Sequence, residues 1–149
     1  MGRVPQLSAP AALRRIPILT AVAVLTVLAL AGCSSSSSKP VDDYSGEPKG
    51  VQAPASSAGG AAFAVWLKSG AQFAIALYGS STCPPKVQSV SVVGSNQLEV
   101  TLEPAPGGVC ARDYAPHTTV FATPSTITKT SNVSIKLPDS TLTLPGLRG

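Results

Sequence analysis

Short runs in which apolar and polar residues alternate dominate the chain between about residue 61 and residue 144. Residues 98–103 read Leu-Glu-Val-Thr-Leu-Glu, and residues 133–137 and 141–144 alternate in the same way. A period of two puts every second side chain on one face of an extended strand, which is the pattern of a half-buried strand. Outside the N-terminal segment, no window has the 3.6-residue period of an amphipathic helix. The pattern predicts an all-β fold.

Four further runs are rich in aromatic and β-branched residues and complete the set of predicted strands, at 63–67, 73–78, 87–93 and 118–122. Turn-forming residues such as Gly, Ser, Asn, Pro and Asp separate neighbouring runs. Seven short strands with frequent turns favour a small antiparallel two-layer sandwich of immunoglobulin-like architecture over residues 61–149. A small barrel is the alternative.

The first thirty-two residues have the organisation of a secretory signal. Arg3, Arg14 and Arg15 make a basic N-terminal region, and residues 16–31 follow without a charge. A membrane-spanning helix needs about 20 apolar residues, so this run of sixteen is short for one. Serines follow it where a stop-transfer segment would have basic residues. We therefore expect residues 1–32 to be a signal peptide that is not part of the folded domain.

The last residues of this segment are Leu30-Ala31-Gly32-Cys33. They resemble the lipobox of bacterial lipoproteins, in which a leucine and two small residues precede an invariant cysteine. The resemblance implies that the Cys33 thiol receives a diacylglyceryl group, with acyl chains such as palmitate, and that a signal peptidase cuts before Cys33. The mature protein is then expected on the extracytoplasmic face of the cell membrane, with the membrane as a partner through the lipid anchor.

The stretch from residue 33 to residue 60 has little apolar surface to bury. Ser, Pro, Gly and Ala fill most of it, and Val41, Tyr44 and Val51 are its only larger apolar residues. Such a composition cannot offset the entropy lost on ordering. We therefore expect residues 33–60 to be a flexible tether, which at this length spans roughly 30 Å on average.

Cys83 and Cys110 are the two cysteines that remain after Cys33. In an exported protein a pair of cysteines is typical of a disulfide. The bridge closes 28 residues counting both ends, and by loop entropy it stabilises the fold by roughly 3–4 kcal/mol. Metal binding by both thiols with His117 is the alternative, which the absence of a C-x-x-C spacing or a second histidine disfavours.

Charge excludes nucleic acid as an expected partner. The chain has 11 basic and 7 acidic residues, a net charge of +4. Because three of the basic residues lie in the predicted signal, the rest of the chain has 8 against 7. No basic cluster remains there to neutralise a phosphate backbone.

Two loop segments carry a second resemblance. One contains Gly-Ser-Ser-Thr-Cys-Pro at residues 79–84, and the other contains Cys-Ala-Arg-Asp at residues 110–113. The arrangement is similar to a group of actinobacterial lipoproteins in which a Gly-Ser-Ser-x-Cys-Pro stretch and a later Cys-x-x-Asp segment flank a pair of strands. The similarity covers roughly residues 62–124. It implies one compact exported domain and no particular activity.

A few residues are candidates for binding. Trp66 is the only tryptophan and suits stacking on a ligand such as a sugar, although tryptophans of small domains more often belong to the core. Arg112, Asp113 and Tyr114 are candidates for a polar contact surface, and Asp113 equally suits capping of the backbone amides of its own loop. His117 is the only histidine. No cofactor and no metal is expected.

Few residues suit catalysis, and we expect no enzyme. His117 and Asp113 could meet a serine across the disulfide, but no Gly-x-Ser-x-Gly elbow is present. Glu99 and Glu103 alternate with apolar residues and are expected on the solvated face of a strand.

The residues favour a binding or scaffolding module of the cell envelope that contacts a protein, a wall polymer or a small solute. One alternative is an envelope hydrolase or enzyme accessory that uses His117 and Asp113. Another is a protease-inhibitor-like loop at residues 82–85, where Cys83 would hold the loop rigid.

Overall fold

A computed structural model describes Gly2 and residues 36–148 of the chain. Nine strands form two packed sheets, and two short 3₁₀ turns, Ala55–Ser57 and Lys68–Gly70, lie between strands. In chain order the strands are β1 Ser37–Ser38, β2 Asp42–Ser45, β3 Phe63–Leu67, β4 Gln72–Gly79, β5 Val87–Gly94, β6 Gln97–Leu102, β7 Ala115–Ala122, β8 Val133–Lys136 and β9 Thr141–Leu144.

The two sheets are open, with five strands in the order β1-β5-β6-β8-β9 and four in the order β2-β7-β4-β3. The prediction of an all-β two-layer sandwich is confirmed, and the barrel alternative is wrong because each sheet ends in two edge strands. All seven predicted strands are present. One pairing departs from the antiparallel expectation: β6 and β8 run parallel, because the chain visits the other sheet through β7 before returning.

The N-terminal boundary of the domain differs from the prediction. Ser37 and Ser38 pair with β5, and Asp42–Ser45 pair with β7 along four residues. The expectation of a flexible tether up to residue 60 is therefore wrong for these strands, and the domain does not begin at residue 61. Composition misled because edge strands are held by backbone hydrogen bonds, which need no apolar side chains. The predicted signal peptide and Cys33 lie outside the described residues, apart from Gly2.

The core lies between the sheets. Phe73 of β4 stacks on Phe121 of β7 with ring centroids 5.7 Å apart, and both side chains are fully buried. The alternation predicted for β6 and β8 is confirmed, because their apolar residues face this core. The cluster comprises Ala64, Phe73, Ile75, Leu77, Val87, Val90, Leu98, Val100, Phe121, Ile127, Val133, Ile135, Leu137 and Leu144.

The outer face of the four-stranded sheet is also buried. Ala74 and Ala76 of β4 are fully buried there, and their small side chains leave room for the segment that links β2 to β3. Thr118, paired with Ala76, donates to the Gly46 carbonyl at 2.7 Å. Pro48 and Ser57 of the linking segment are themselves buried. The linking segment thus forms a third layer over the sheet.

The Cys83–Cys110 disulfide joins two loops at one end of the sandwich, with the two Cα atoms 5.5 Å apart. The predicted bridge is confirmed. Its sulfurs are not available as thiolates, so the metal site proposed as an alternative for Cys83, Cys110 and His117 is wrong.

Replacing both cysteines, Cys83→Ala with Cys110→Ala, is expected to lower the free energy of unfolding by about 3–4 kcal/mol, because the unfolded chain regains the freedom of the closed loop. Urea denaturation measures this change. The unmodified protein under reductant serves as a control and should lose a similar amount. A double variant as stable as the parent would show that the bridge does not constrain the unfolded chain.

Candidate functional site

A groove runs between two strand edges on one side of the sandwich. β3 ends the four-stranded sheet and β9 ends the five-stranded sheet, so each has a paired neighbour on one side only among the described residues. The two strands face each other across the gap between the sheets. The cavity between them measures about 520 Å³. Its walls come from β3, from β9 and its extension, and from the linking segment, namely Pro54, Ser56, residues 62–66 and residues 141–148.

Trp66 holds the groove in shape. Its ring packs edge-on against Phe73, with centroids 6.4 Å apart and planes at 78°, which ties it to the core. Its indole Nε1–H donates to the carbonyl of Pro145 at 2.6 Å, across the gap to the chain after β9. Trp66 is half-buried. One side of its ring packs against the core, and the rest of the ring lines the cavity.

The groove is suited to binding. Its walls are mainly apolar, and no acid, histidine or cysteine is among its lining residues. Polar contacts are available from the hydroxyls of Thr141 and Thr143 and from the guanidinium of Arg148. The unpaired edges of β3 and β9 add backbone donors and acceptors, which can pair with an extended chain. This combination of apolar walls and a few polar groups is typical of a ligand site.

A polar cluster around Asp43 forms a second candidate. Asp43 Oδ1 accepts a hydrogen bond from Lys86 Nζ at 2.9 Å and another from His117 Nε2 at 2.9 Å. Its Oδ2 accepts from the Thr119 hydroxyl at 3.2 Å. The cluster joins β2 and β7 in one sheet to the start of β5 in the other. It therefore fastens the N-terminal edge strand to the sandwich.

The environment of Asp43 changes its acidity. Partial burial opposes ionisation, but the hydrogen bonds from Lys86 and His117 and their positive charges outweigh it. The pKa of Asp43 is consequently lowered below its ordinary value of 3.8. The ionised carboxylate is the form that stabilises the fold.

His117 does not pair with Asp113. The hydrogen bond of its Nε2 goes to Asp43, while Asp113 Oδ1 accepts from the Ser81 amide at 2.9 Å. The side chain of His117 is only 4% exposed, and its Nδ1 has no hydrogen-bond partner among the described residues. The pairing on which the hydrolase alternative depended is therefore wrong. Asp113 caps a backbone amide of the neighbouring loop instead of one in its own loop.

The loops around the disulfide are tied together by local contacts. Thr82 Oγ1 accepts from the Ala111 amide at 2.8 Å, and the Asp113–Ser81 contact described above lies beside it. Arg112 is exposed and forms no ion pair within residues 36–148. In the segment considered as an inhibitor loop, residues 82–85, Thr82 is exposed and the other three residues are half-buried.

Tyr114 braces the linking segment. Its ring is 65% exposed and stacks on Tyr78 with centroids 5.5 Å apart. Its hydroxyl donates to the Gly60 carbonyl at 3.0 Å, and the Tyr78 hydroxyl donates to Glu47 at 2.7 Å. Desolvation and the bond to Glu47 raise the pKa of Tyr78 to about 12. Tyr114 thus has a structural partner as well as an exposed face.

Comparison with family models, with curated proteins and with solved structures finds no match to this chain. Within the described part of the chain, no three His, Cys, Asp or Glu side chains converge in a way that would hold a metal ion. Among the same described residues, no helix is long and apolar enough to cross a membrane.

Sequence reasoning missed Asp43 and the β9 side of the groove. Asp43 lies in a stretch interpreted as a tether, and its partner His117 is 74 residues away. The alternation of residues predicts a strand that contains Leu142 and Leu144, but their position opposite β3 depends on how the sheets pack. A useful local signal was Asp42-Asp43-Tyr44, a charged and aromatic group within an otherwise Ser- and Pro-rich segment.

Asp43→Asn is expected to lower the free energy of unfolding by about 1–3 kcal/mol near neutral pH, because Lys86 and His117 lose a charged acceptor. The folded-state pKa of Asp43 is depressed. Its contribution is therefore present above the ordinary value of 3.8 and is lost as pH falls through the lower, folded value. Urea denaturation at several pH values measures the difference.

The neighbouring substitution Asp42→Asn is the matched control, since Asp42 accepts only the adjacent Asp43 amide. It should change the free energy of unfolding by much less. Equal losses for the two variants, or a loss at Asp43 that persists unchanged in acid, would contradict the role assigned to the cluster.

Proposed function

We propose that this protein is a lipid-anchored binding module that holds an extended peptide segment of an envelope partner in the groove between β3 and β9. The observation that carries the proposal is the groove itself, in which apolar walls lie between two unpaired strand edges. The proposed role is recognition without catalysis. No residue of the two loops joined by the disulfide lines the groove.

The lipid anchor is inferred from the N-terminal residues. A basic region, an uncharged run and Leu30-Ala31-Gly32-Cys33 follow one another in the order of a lipoprotein signal. The Cys83–Cys110 disulfide supports this proposal, because such bridges persist in oxidising compartments outside the cytoplasm. Anchorage at Cys33 would place the domain at the extracytoplasmic face of the cell membrane.

The ligand class follows from the chemistry of the groove. An extended peptide can add to an exposed sheet edge, where backbone hydrogen bonds give affinity and alternate side chains enter pockets. The walls next to Trp66 and Leu142 suit apolar side chains of such a peptide. No acid of this chain lines the groove, so the backbone and the apolar side chains of the ligand carry the recognition.

The intact mass of the protein from the membrane fraction tests the anchor. We expect the mass of residues 33–149 plus a diacylglyceryl group, with a gain of two hydrogens on reduction of the disulfide. Cys33→Ala should abolish the lipid and release the protein from the membrane fraction. A mass that retains residues 1–32 without lipid would rule out a lipoprotein.

Fluorescence of Trp66, the only tryptophan, tests the groove. Random peptides displayed on phage and selected against the purified lipoprotein, then synthesised, are expected to shift its emission on titration. Thr143→Phe fills the groove from an exposed position on β9 and should weaken binding about fivefold or more, because steric overpacking costs about 1–3 kcal/mol.

Thr101→Phe is the matched control, at an exposed position of β6 outside the groove, and should leave affinity unchanged. The groove proposal fails if no selected peptide changes the Trp66 emission. It also fails if Thr143→Phe and Thr101→Phe bind the peptides equally well.

A further inference from the structure

The two ends of the sandwich differ in charge. The end opposite the disulfide, which we call the basic end, carries Lys68, Lys129 and Arg148, all exposed. Its loops contain no acidic residue. These loops are residues 68–71, 94–97, 123–132 and 145–148.

The disulfide end has the opposite balance. Its loops, residues 80–86, 103–114 and 137–140, contain Glu103, Asp113 and Asp139 against Lys86 and Arg112. Counted over these loops alone, the domain carries three positive charges at one end and a net charge of −1 at the other.

The three basic residues lie in loops that are packed together. A Cβ built on Gly70 would lie 2.6 Å from Leu147 Cδ1 and 2.9 Å from Lys129 Cδ, so the loop of Lys68 touches the loops of Lys129 and Arg148. The Leu147 amide also donates to the Lys129 carbonyl at 2.8 Å. No ion pair within residues 36–148 neutralises any of the three. Asp42 lines the same cavity as Lys68, but the two side chains do not form an ion pair.

The chain enters the sandwich from the basic end. β5 runs from the disulfide end towards the basic end, and β1 pairs with it antiparallel, with Ser37 opposite Ser91 and Ser38 opposite Val90. Ser37 therefore lies nearer to the basic end than Ser38 does. Cys33 precedes Ser37 by four residues, which at full extension reach at most about 14 Å. A lipid on Cys33 keeps the domain within this distance of the bilayer.

We propose that the basic end rests on the anionic phospholipid headgroups of the membrane that holds the anchor. The inference depends on the lipid at Cys33 that the proposed function includes. Lys68, Lys129 and Arg148 would face the membrane. Its negative surface potential raises the binding affinity about fivefold for each basic residue near the surface. The acidic disulfide end would point away, and the groove between β3 and β9 would open sideways into the envelope.

Two fluorescent probes on the lipidated protein test the orientation. Ser131→Cys lies in a loop of the basic end and Ser140→Cys lies in a loop of the disulfide end, and both positions are exposed. Each is labelled without reductant and reconstituted in phosphatidylcholine vesicles with or without phosphatidylglycerol. A headgroup-attached nitroxide lipid is the quencher. We expect stronger quenching at Ser131→Cys than at Ser140→Cys, and a larger difference when phosphatidylglycerol is present.

Charge reversal makes the test specific. Lys129→Glu should reduce the preference of the basic end for phosphatidylglycerol vesicles by about fivefold or more. Arg112→Glu makes the same charge change at the disulfide end and should not reduce it. If mass analysis finds no diacylglyceryl group, the anchor of the proposed function fails. If the lipid is present but both probes are quenched equally, or both reversals act alike, the orientation is overturned while the anchor stands.

Discussion

Strands β4 and β7 are buried on both faces, and the other parts of the domain are arranged around that pair. Their eight-residue pairing removes backbone groups from water, so those groups must find partners in the sheet. On one face Phe73 and Phe121 stack in the core. On the other face small residues such as Ala74 allow the linking segment to lie close.

The two open sheets have four edge strands, each with backbone groups that lack a partner on one side. β1 and β2 cover the inner strands β5 and β7, and both are short, which limits edge-to-edge association. Asp43 fastens β2 by its bonds to Lys86 and His117. The remaining edges, β3 and β9, lie on the same side and face each other. They form the walls of the groove, so the proposed recognition surface and the packing of the sheets have one origin.

The same arrangement would set the position of the groove relative to the proposed membrane anchor. The disulfide braces one end of the sandwich, and the basic loops occupy the other. Because the chain reaches β1 from the basic end, a lipid on Cys33 and the positive charges would act on the same side of the domain. The groove runs along the side of the sandwich, and near the basic end Trp66 bonds to Pro145. A partner could then approach parallel to the membrane surface.

The sequence by itself determined the seven strands from β3 to β9, the two-layer architecture and the disulfide, because side-chain periodicity and cysteine pairing are local or compositional signals. Only the tertiary structure decided that residues 37–45 belong to the sheets, that β6 and β8 run parallel, and that His117 pairs with Asp43 instead of Asp113. It also decided that β3 faces β9 across a groove. These features depend on backbone hydrogen bonds and on contacts between distant residues, such as the 74-residue separation of Asp43 and His117, and neither produces a periodic pattern in the chain.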